Sequence, residues 1–417
     1  MVKVLDVRES GPQEIVARLR RPGGFLSEKV RDAARRIVND VRDGGDEALL
    51  EYTERFDGVR PDPIRVPPGE IRSARESLEA EAEESFGVAI ENVRFFHERE
   101  IDRPWEMSRD GATMGQRVRP LRRAGLYVPG GHAAYPSTLV MSAVPAQVAG
   151  VEEIAVCAPP GPDGKVSPHV LAVAGLLGLD EVYAVGGAQA VGAMAYGTQS
   201  LSPVNKIVGP GNDYVVAAKL EVFGVVGVDA PAGPSEVVVI AEAGAFPERV
   251  AFDLMAQAEH LSGASAVLLT PSAELIESVG PLLSGEPAEL ITLVRTRDAA
   301  QAVQIANEYA PEHAHVISED PEAILQNLYA AGMVAIGDFS PVALGDYAAG
   351  PSHALPTGGA AAWASALGTH DFTARTNYIR YTPEALEILG PHVERLARLE
   401  GFENHARSVG VRLGKEP

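Results

Sequence analysis

AGLYVPGGHAAYPSTLVMSAVPAQVAGVEEIAVCAPP, residues 124–160, passes from a short apolar run into a Gly/Pro turn, then a longer apolar segment, then a second short run ending on prolines. Short apolar runs bounded by turn residues read as buried strands, and the longer stretch between them as a covering helix. The alternation continues through HVLAVAGLLGL (169–179), DEVYAVGG (180–187) and AQAVGAMAYG (188–197). It resumes at PSEVVVIAE (234–242), passes through a helix ending near His260, and goes on with SAVLLTP (265–271) and AELIESVGPLL (273–283). Strands alternating with helices predict parallel sheets covered by helices, so the fold class is α/β, with two such units that are candidates for duplication. No strict residue repeat links them.

The flanks have a different texture. SEKVRDAARRIVNDVRDGGDEALLEYTERFDG (27–58) and PEALEILGPHVERLARLEGFENHARSVGVRL (383–413) carry apolar residues every three or four positions among many charges, which predicts amphipathic helices. The expected organisation is a helical N-terminal region over 1–117, a first α/β domain over 118–232, a second over 233–357, and a helical C-terminal tail over 358–417.

The 417 residues are 46% hydrophobic, enough for more than one core. Apolar runs are broken well before the roughly 18 residues that a membrane span needs, and MVKVLDVRES lacks a signal-peptide core, so a cytoplasmic location away from membranes is expected. One cysteine, Cys157, rules out an internal disulfide and an all-Cys metal cage, and its place in EEIAVCAPP reads as the end of a buried strand. With 36 Lys and Arg against 57 Asp and Glu the net charge is -21, which opposes nucleic-acid partners.

Four glycine-rich turns, VPGGHAAYPST (128–138), VGGAQAVGA (185–193), VGPGNDYV (208–215) and PAGPSEV (231–237), stand at strand ends. Such turns bring backbone N–H groups to a phosphate, although no GxGxxG is present and any one of them is equally a simple chain reversal. DLMAQAEHLSGASAVLLT (253–270) places Gln257 and His260 on one helix face; spacing leaves the pair open between a half-buried face and half of a metal site. Polar clusters follow in APEHAHVI (Glu312, His313, His315), LGDYAAGPSHALPT (Asp346, His353) and RLEGFENHARS (Glu400, Glu403, His405). A Glu beside a His supplies two groups for proton transfer near neutral pH, while each cluster alone also reads as a capped loop or a solvated helix face. HExxH and CxxC spacings are absent.

Taken together, GLYVPGGHAAYPSTLVMSAVPAQVAGV, GGAQAVGAMAYGT, KIVGPGNDYV, PAGPSEV, AQAEH, APEH, GDYAAGPSHALPT and EGFENH resemble, in order, the motifs of the histidinol dehydrogenases, from DVRDGGDEALLEYTERFDG (40–58) nearly to the end of the chain. The resemblance implies two incomplete Rossmann-like domains with helical extensions, and the oxidation of L-histidinol to L-histidine with two NAD through bound L-histidinaldehyde. It implies Zn2+ on Gln257, His260, Asp346 and His405; NAD on Tyr127, Gln189 and Asn212; and substrate held by Ser235, His353 and Glu400 together with the zinc ligands and His313. Glu312 and His313 would be the acid–base pair, and a homodimer would share its active sites. Two departures, Ala314–His315 after the Glu-His pair and Pro351–Ser352 before His353, are expected to alter pocket shape. The rival readings are a related zinc- and NAD-dependent dehydrogenase of another small polar alcohol, such as a sulfonated diol, and a non-catalytic zinc- or nucleotide-binding regulator.

Overall fold

The computed structural model describes residues 2–20, 26–130, 134–230, 233–260 and 263–416. Parts of two glycine loops, Gly131 to Ala133 and Pro231 to Ala232, lie outside the described residues. The strands are β1 (Lys3–Asp6), β2 (Trp105–Arg109), β3 (Ala112–Pro120), β4 (Arg123–Tyr127), β5 (Glu153–Ala158), β6 (Val182–Ala184), β7 (Lys206–Val208), β8 (Gly227–Val228), β9 (Glu236–Ala241), β10 (Ser265–Thr270), β11 (Ile291–Arg295), β12 (His313–Ile317), β13 (Met333–Ile336) and β14 (Thr373–Tyr381).

One sheet has the order β6-β5-β4-β7-β8 and another the order β1-β11-β10-β9-β12-β13, and all pairings in both are parallel. Counted within each α/β part, both sheets wind 3-2-1-4-5, the doubly wound plan that right-handed crossovers through helices produce. The strands are nearly continuous apolar runs because both faces are covered. In β4 and β5, Leu126 and Val156 serve one core while Tyr127 and Cys157 serve the core on the opposite face; in β9, Val237 and Val239 divide from Val238 and Ile240 in the same way. The α/β class and the pair of Rossmann-like parts expected from the sequence are therefore present.

The flanks are not purely helical. β1 lies at the edge of the second sheet, paired with β11, and β2, β3 and β14 form an antiparallel three-stranded sheet. Every residue of β2 is exposed, so the hydrophobic alternation that signals a strand is missing there. The legible signal was the turn: Asp110 and Gly111 both have positive φ, 50° and 78°, as a two-residue hairpin turn requires. The chain divides into two compact units, Met1–Glu100 with Leu121–Phe372, and Ile101–Pro120 with Thr373–Pro417. Both parallel sheets belong to the first unit. The second consists of the antiparallel sheet and the helices Pro383–Leu399 and Glu403–Gly410.

The loop after β7 is held from below. Lys219, in the helix Asp213–Val222, donates to the Gly209 carbonyl and to Asp229, which also accepts from Gly209 N at 2.7 Å. Both charged side chains are buried, 6% and 9% exposed. A Cβ at Gly209 would lie 2.1 Å from the Tyr127 carbonyl oxygen, so this loop packs directly on the end of β4. Lys219→Met strands a buried carboxylate and is expected to destabilise the fold by about 3–5 kcal/mol, measurable by urea titration.

Candidate active site

The helix Pro247–Ala258 crosses from β9 to β10, so its carboxyl end falls at the amino edge of the second sheet. Gln257 sits in its last turn, 3% exposed, and His260 follows just beyond it. At the same edge, His313 begins β12 beside Val237 of β9, and Glu312 precedes it. The Glu312 carboxylate accepts from the Glu236 backbone N–H at 2.8 Å, which leaves its other oxygen 3.9 Å from His313 Nε2. Asp346, in the helix Val342–Tyr347 that returns from β13, places Oδ1 3.4 Å from the same Nε2. His353 is fixed at both nitrogens, Nδ1 on the Asp346 carbonyl at 2.7 Å and Nε2 on Thr138 Oγ1 at 3.2 Å.

Burial dominates the electrostatics, because removing water penalises the charged form. It pushes the His313 imidazole down to about 3, with the neighbouring His353 and His260 adding to the effect. His353 falls to about 4 for the same reason, although its bond to the Asp346 carbonyl opposes the shift. His260 is lowered by burial while keeping contact with solvent. The carboxyls move the other way: Asp346 rises to about 6, Glu236 to about 7, and Glu312 goes well above the usual range, opposed by the Glu236 N–H. The cluster therefore offers neutral imidazoles, of which His353 has both nitrogens engaged, and carboxyls whose ionisation burial opposes. His313 Nδ1 is buried without a hydrogen-bond partner among the described residues.

This donor set fits a zinc ion, which takes neutral imidazole nitrogen and carboxylate oxygen. Among the described residues no three His, Cys, Asp or Glu are disposed to hold a metal. Gln257, His260 and Asp346 supply only two residues of those types, so a fourth donor must come from elsewhere. Glu400 and His405 belong to the second unit, where both are exposed and the His405 ring lies 5.2 Å from that of Phe402. Ser235 immediately precedes Glu236, and its carbonyl accepts from Ser265 N.

A cavity of about 950 Å³ opens at the carboxyl edge of the first sheet. It is lined by Tyr127 after β4, Pro159 after β5, Gln189 after β6 and Asn212 after β7. These ends flank the point between β4 and β7 where the winding reverses, the usual ligand position in a doubly wound sheet. Tyr127 Oη accepts from Gly187 N at 3.0 Å, and Asn212 Oδ1 caps the helix Asp213–Val222. Both amide atoms of Gln189 are buried and have no hydrogen-bond partner among the described residues, which leaves them for a ligand. With two ten-residue helices starting at its edge, the cavity suits a dinucleotide.

Two features escaped the sequence reading, and two expected ones turned out to serve elsewhere. Glu236 orients Glu312, yet within PAGPSEV it reads as an ordinary strand residue. Thr138 holds His353 from the first α/β part, a link between distant segments that no local pattern announces. His315 does not shape the pocket: two residues along β12 from His313, its Nδ1 lies 2.8 Å from Asp253 Oδ2 and its Nε2 bonds the Gly337 carbonyl, beneath the helix that bears Gln257. Ser352 likewise bonds inward, to the Met141 carbonyl at 3.0 Å, and so anchors the His353 loop.

A doubly wound sheet with a dinucleotide-sized cavity at its switch point, joined to a buried carboxyl–imidazole pair, has the architecture of an oxidoreductase. Residues 24–413 match the family model of histidinol dehydrogenase. The chain is 46% identical to the histidinol dehydrogenase of Geobacillus kaustophilus over 95% of its own length and 97% of the relative's. It is 43% identical to that of Bacillus subtilis, covering 93% and 94% of the two chains. The crystal structure of histidinol dehydrogenase from Elizabethkingia anophelis superposes with a TM-score of 0.93 at 31% identity, covering 99% of this chain and 98% of that one. The chain belongs to the histidinol dehydrogenase family.

Proposed function

We propose that this protein oxidises L-histidinol to L-histidine in two NAD-dependent steps at one zinc site, through an aldehyde that stays bound. The observation that carries this reading is the buried Glu312–His313 pair, with Asp346 3.4 Å from His313 Nε2 and with His353 and His260 near enough to act on the same imidazole. A pure binding protein needs no such pair. Two carboxyl groups beside His313, those of Glu312 and Asp346, are poor surroundings for a sulfonate, which disfavours the sulfonated diol.

Zinc held by Gln257, His260, Asp346 and His405 of a second copy would supply an orienting template for the amino alcohol, and NAD in the large cavity would supply the oxidant for both steps. In the first step neutral His313 accepts the hydroxyl proton while a hydride leaves the carbinol carbon. Glu312 then takes a proton from water as its oxygen adds to the aldehyde carbon, and protonated His313 returns its proton to the former carbonyl oxygen, giving a hydrate and a neutral imidazole again. His313 accepts a hydroxyl proton from the hydrate, the second oxidation follows, and the acid departs. Ser235, His353 and Glu400 hold the substrate. Tyr127, Gln189 and Asn212 contact the dinucleotide. Support for NAD comes from the unpartnered Gln189 amide and the position of the cavity, and support for zinc from the neutral imidazoles.

The active form is a homodimer that shares its sites, and a cytoplasmic location accords with this biosynthetic role. Among the described residues no helix is long and apolar enough to cross a membrane. Purified protein given L-histidinol should form about two NADH per histidine with no accumulating aldehyde, because both oxidations occur before release. A steady yield of one NADH with free aldehyde would show that the two steps are not coupled.

A further inference from the structure

The cavity at the carboxyl edge of the first sheet holds a carboxyl group that the mechanism does not use. In a dinucleotide fold the second strand of the sheet ordinarily ends near an acidic residue that hydrogen-bonds the ribose hydroxyls of the adenosine half. Here that strand is β5, and it runs out into Ala158, Pro159, Pro160, Gly161 and Pro162 with no acid. Asp163 comes next, but it is exposed and its Oδ1 accepts from Lys165 N at 3.1 Å.

Asp57 reaches the cavity from another direction. It is the last residue of the helix Glu28–Asp57 and lines the same cavity as Pro159 and Gln189. The segment that follows it docks on the free edge of β6, with Ala184 N donating to the Ile64 carbonyl and Val66 N to the Val182 carbonyl, each at 2.8 Å. The β4-β5-β6 half of the sheet is the half that takes adenosine in a doubly wound dinucleotide fold. Beside Asp57, Tyr52 and Phe56 stack with ring centroids 5.7 Å apart and also line the cavity, forming an aromatic shelf for a base.

Asp57 Oδ2 is buried with no hydrogen-bond partner among the described residues. A carboxylate at a helix carboxyl end is also disfavoured by the helix dipole. The residue is thus placed against its own stability, with an acceptor oxygen left free in the cavity. Burial raises its pKa, as expected for a carboxyl that lacks a donor. Two ribose hydroxyls would supply donors.

We propose that Asp57 recognises the vicinal hydroxyls of the adenosine ribose and excludes a 2′-phosphate, making it the residue that sets preference for NAD over NADP. The inference rests on the dinucleotide reading of the cavity. Arg36, Arg55 and Lys165 also line the cavity; Arg55 lies over the Phe56 ring, 5.6 Å from its centroid, and Lys165 pairs with Glu70 at 3.7 Å.

The test compares intact, zinc-loaded wild type with Asp57→Asn in initial rates on histidinol, and by titration calorimetry in equilibrium binding without histidinol, using NAD, its 2′-deoxyadenosine analogue and NADP. Wild type should favour NAD over each alternative by about 10- to 100-fold in kcat/KM, and Asp57→Asn should erase most of that preference through KM for NAD. Its kcat and its KM for histidinol should stay within about two-fold of wild type, a split that general loosening of the fold would not produce. Should Asp57→Asn melt early, Asp57→Ser at matched stability serves the same comparison. A folded variant that keeps the wild-type preference against both alternatives overturns the assignment. Wild type that reduces neither NAD nor NADP overturns the dinucleotide reading itself, and the assignment with it.

Discussion

His313→Ala should slow alcohol oxidation by about 10²–10⁴-fold, the range that a positioned general base contributes. Burial, together with His353 and His260, keeps the imidazole neutral, so that a ring lone pair is open to the hydroxyl proton. Glu312→Gln should have a different signature. Burial pushes the Glu312 carboxyl well above its usual range, and glutamine is an uncharged near-isostere of that side chain, so the step that uses only His313 should be spared. Glutamine still accepts from Glu236 N, where the carboxylate does so at 2.8 Å, and local geometry should survive. Water activation needs the ionised carboxylate, and oxidation of the aldehyde should fall by a factor similar to that for His313→Ala in the alcohol step. Presteady-state NADH formation from histidinol and from histidinaldehyde, offered separately, resolves the two half-reactions. Equal losses in both for Glu312→Gln would refute the division of labour.

Asp346→Ala and His405→Ala chains, each inactive alone, should regain activity when unfolded and refolded together. Equal mixing places half of the chains in mixed dimers, and a mixed dimer with shared sites has one complete site of two, so about a quarter of the wild-type activity should return. The motive is the single chain itself. Gln257, His260 and Asp346 all lie in the first unit, where among the described residues no three His, Cys, Asp or Glu are disposed to hold a metal, while Glu400 and His405 stand exposed in the second. That second unit also leaves Ile388, Leu396, Leu399 and Phe402 exposed, an apolar helical face of the kind that subunit contacts cover. If all four ligands came from one chain, every site in the mixture would lack one of them and the mixture would remain inactive.

The sequence by itself determined the α/β class, because strands buried on both faces must be short apolar runs, and runs such as EVVVIA and SAVLLT can be read without neighbours. It also determined which residues to examine: Gln257 with His260 by helical spacing, Glu312 with His313 by adjacency, and the rest by the order of motifs. β2 was invisible because a strand exposed on both faces carries no burial pattern, and β1 because four residues are too few to show one. Only the tertiary structure decided that Glu312 and His313 stand at the amino edge of one sheet, that Thr138 from the other α/β part holds His353, and that Glu236 orients Glu312. It alone removed His315 from the pocket and gave Asp57 a free oxygen in the large cavity. The physical reason is common to all of these. Periodicity reports how a segment divides between core and solvent, whereas proton affinity and hydrogen-bond satisfaction depend on which distant groups share the space from which water has been removed.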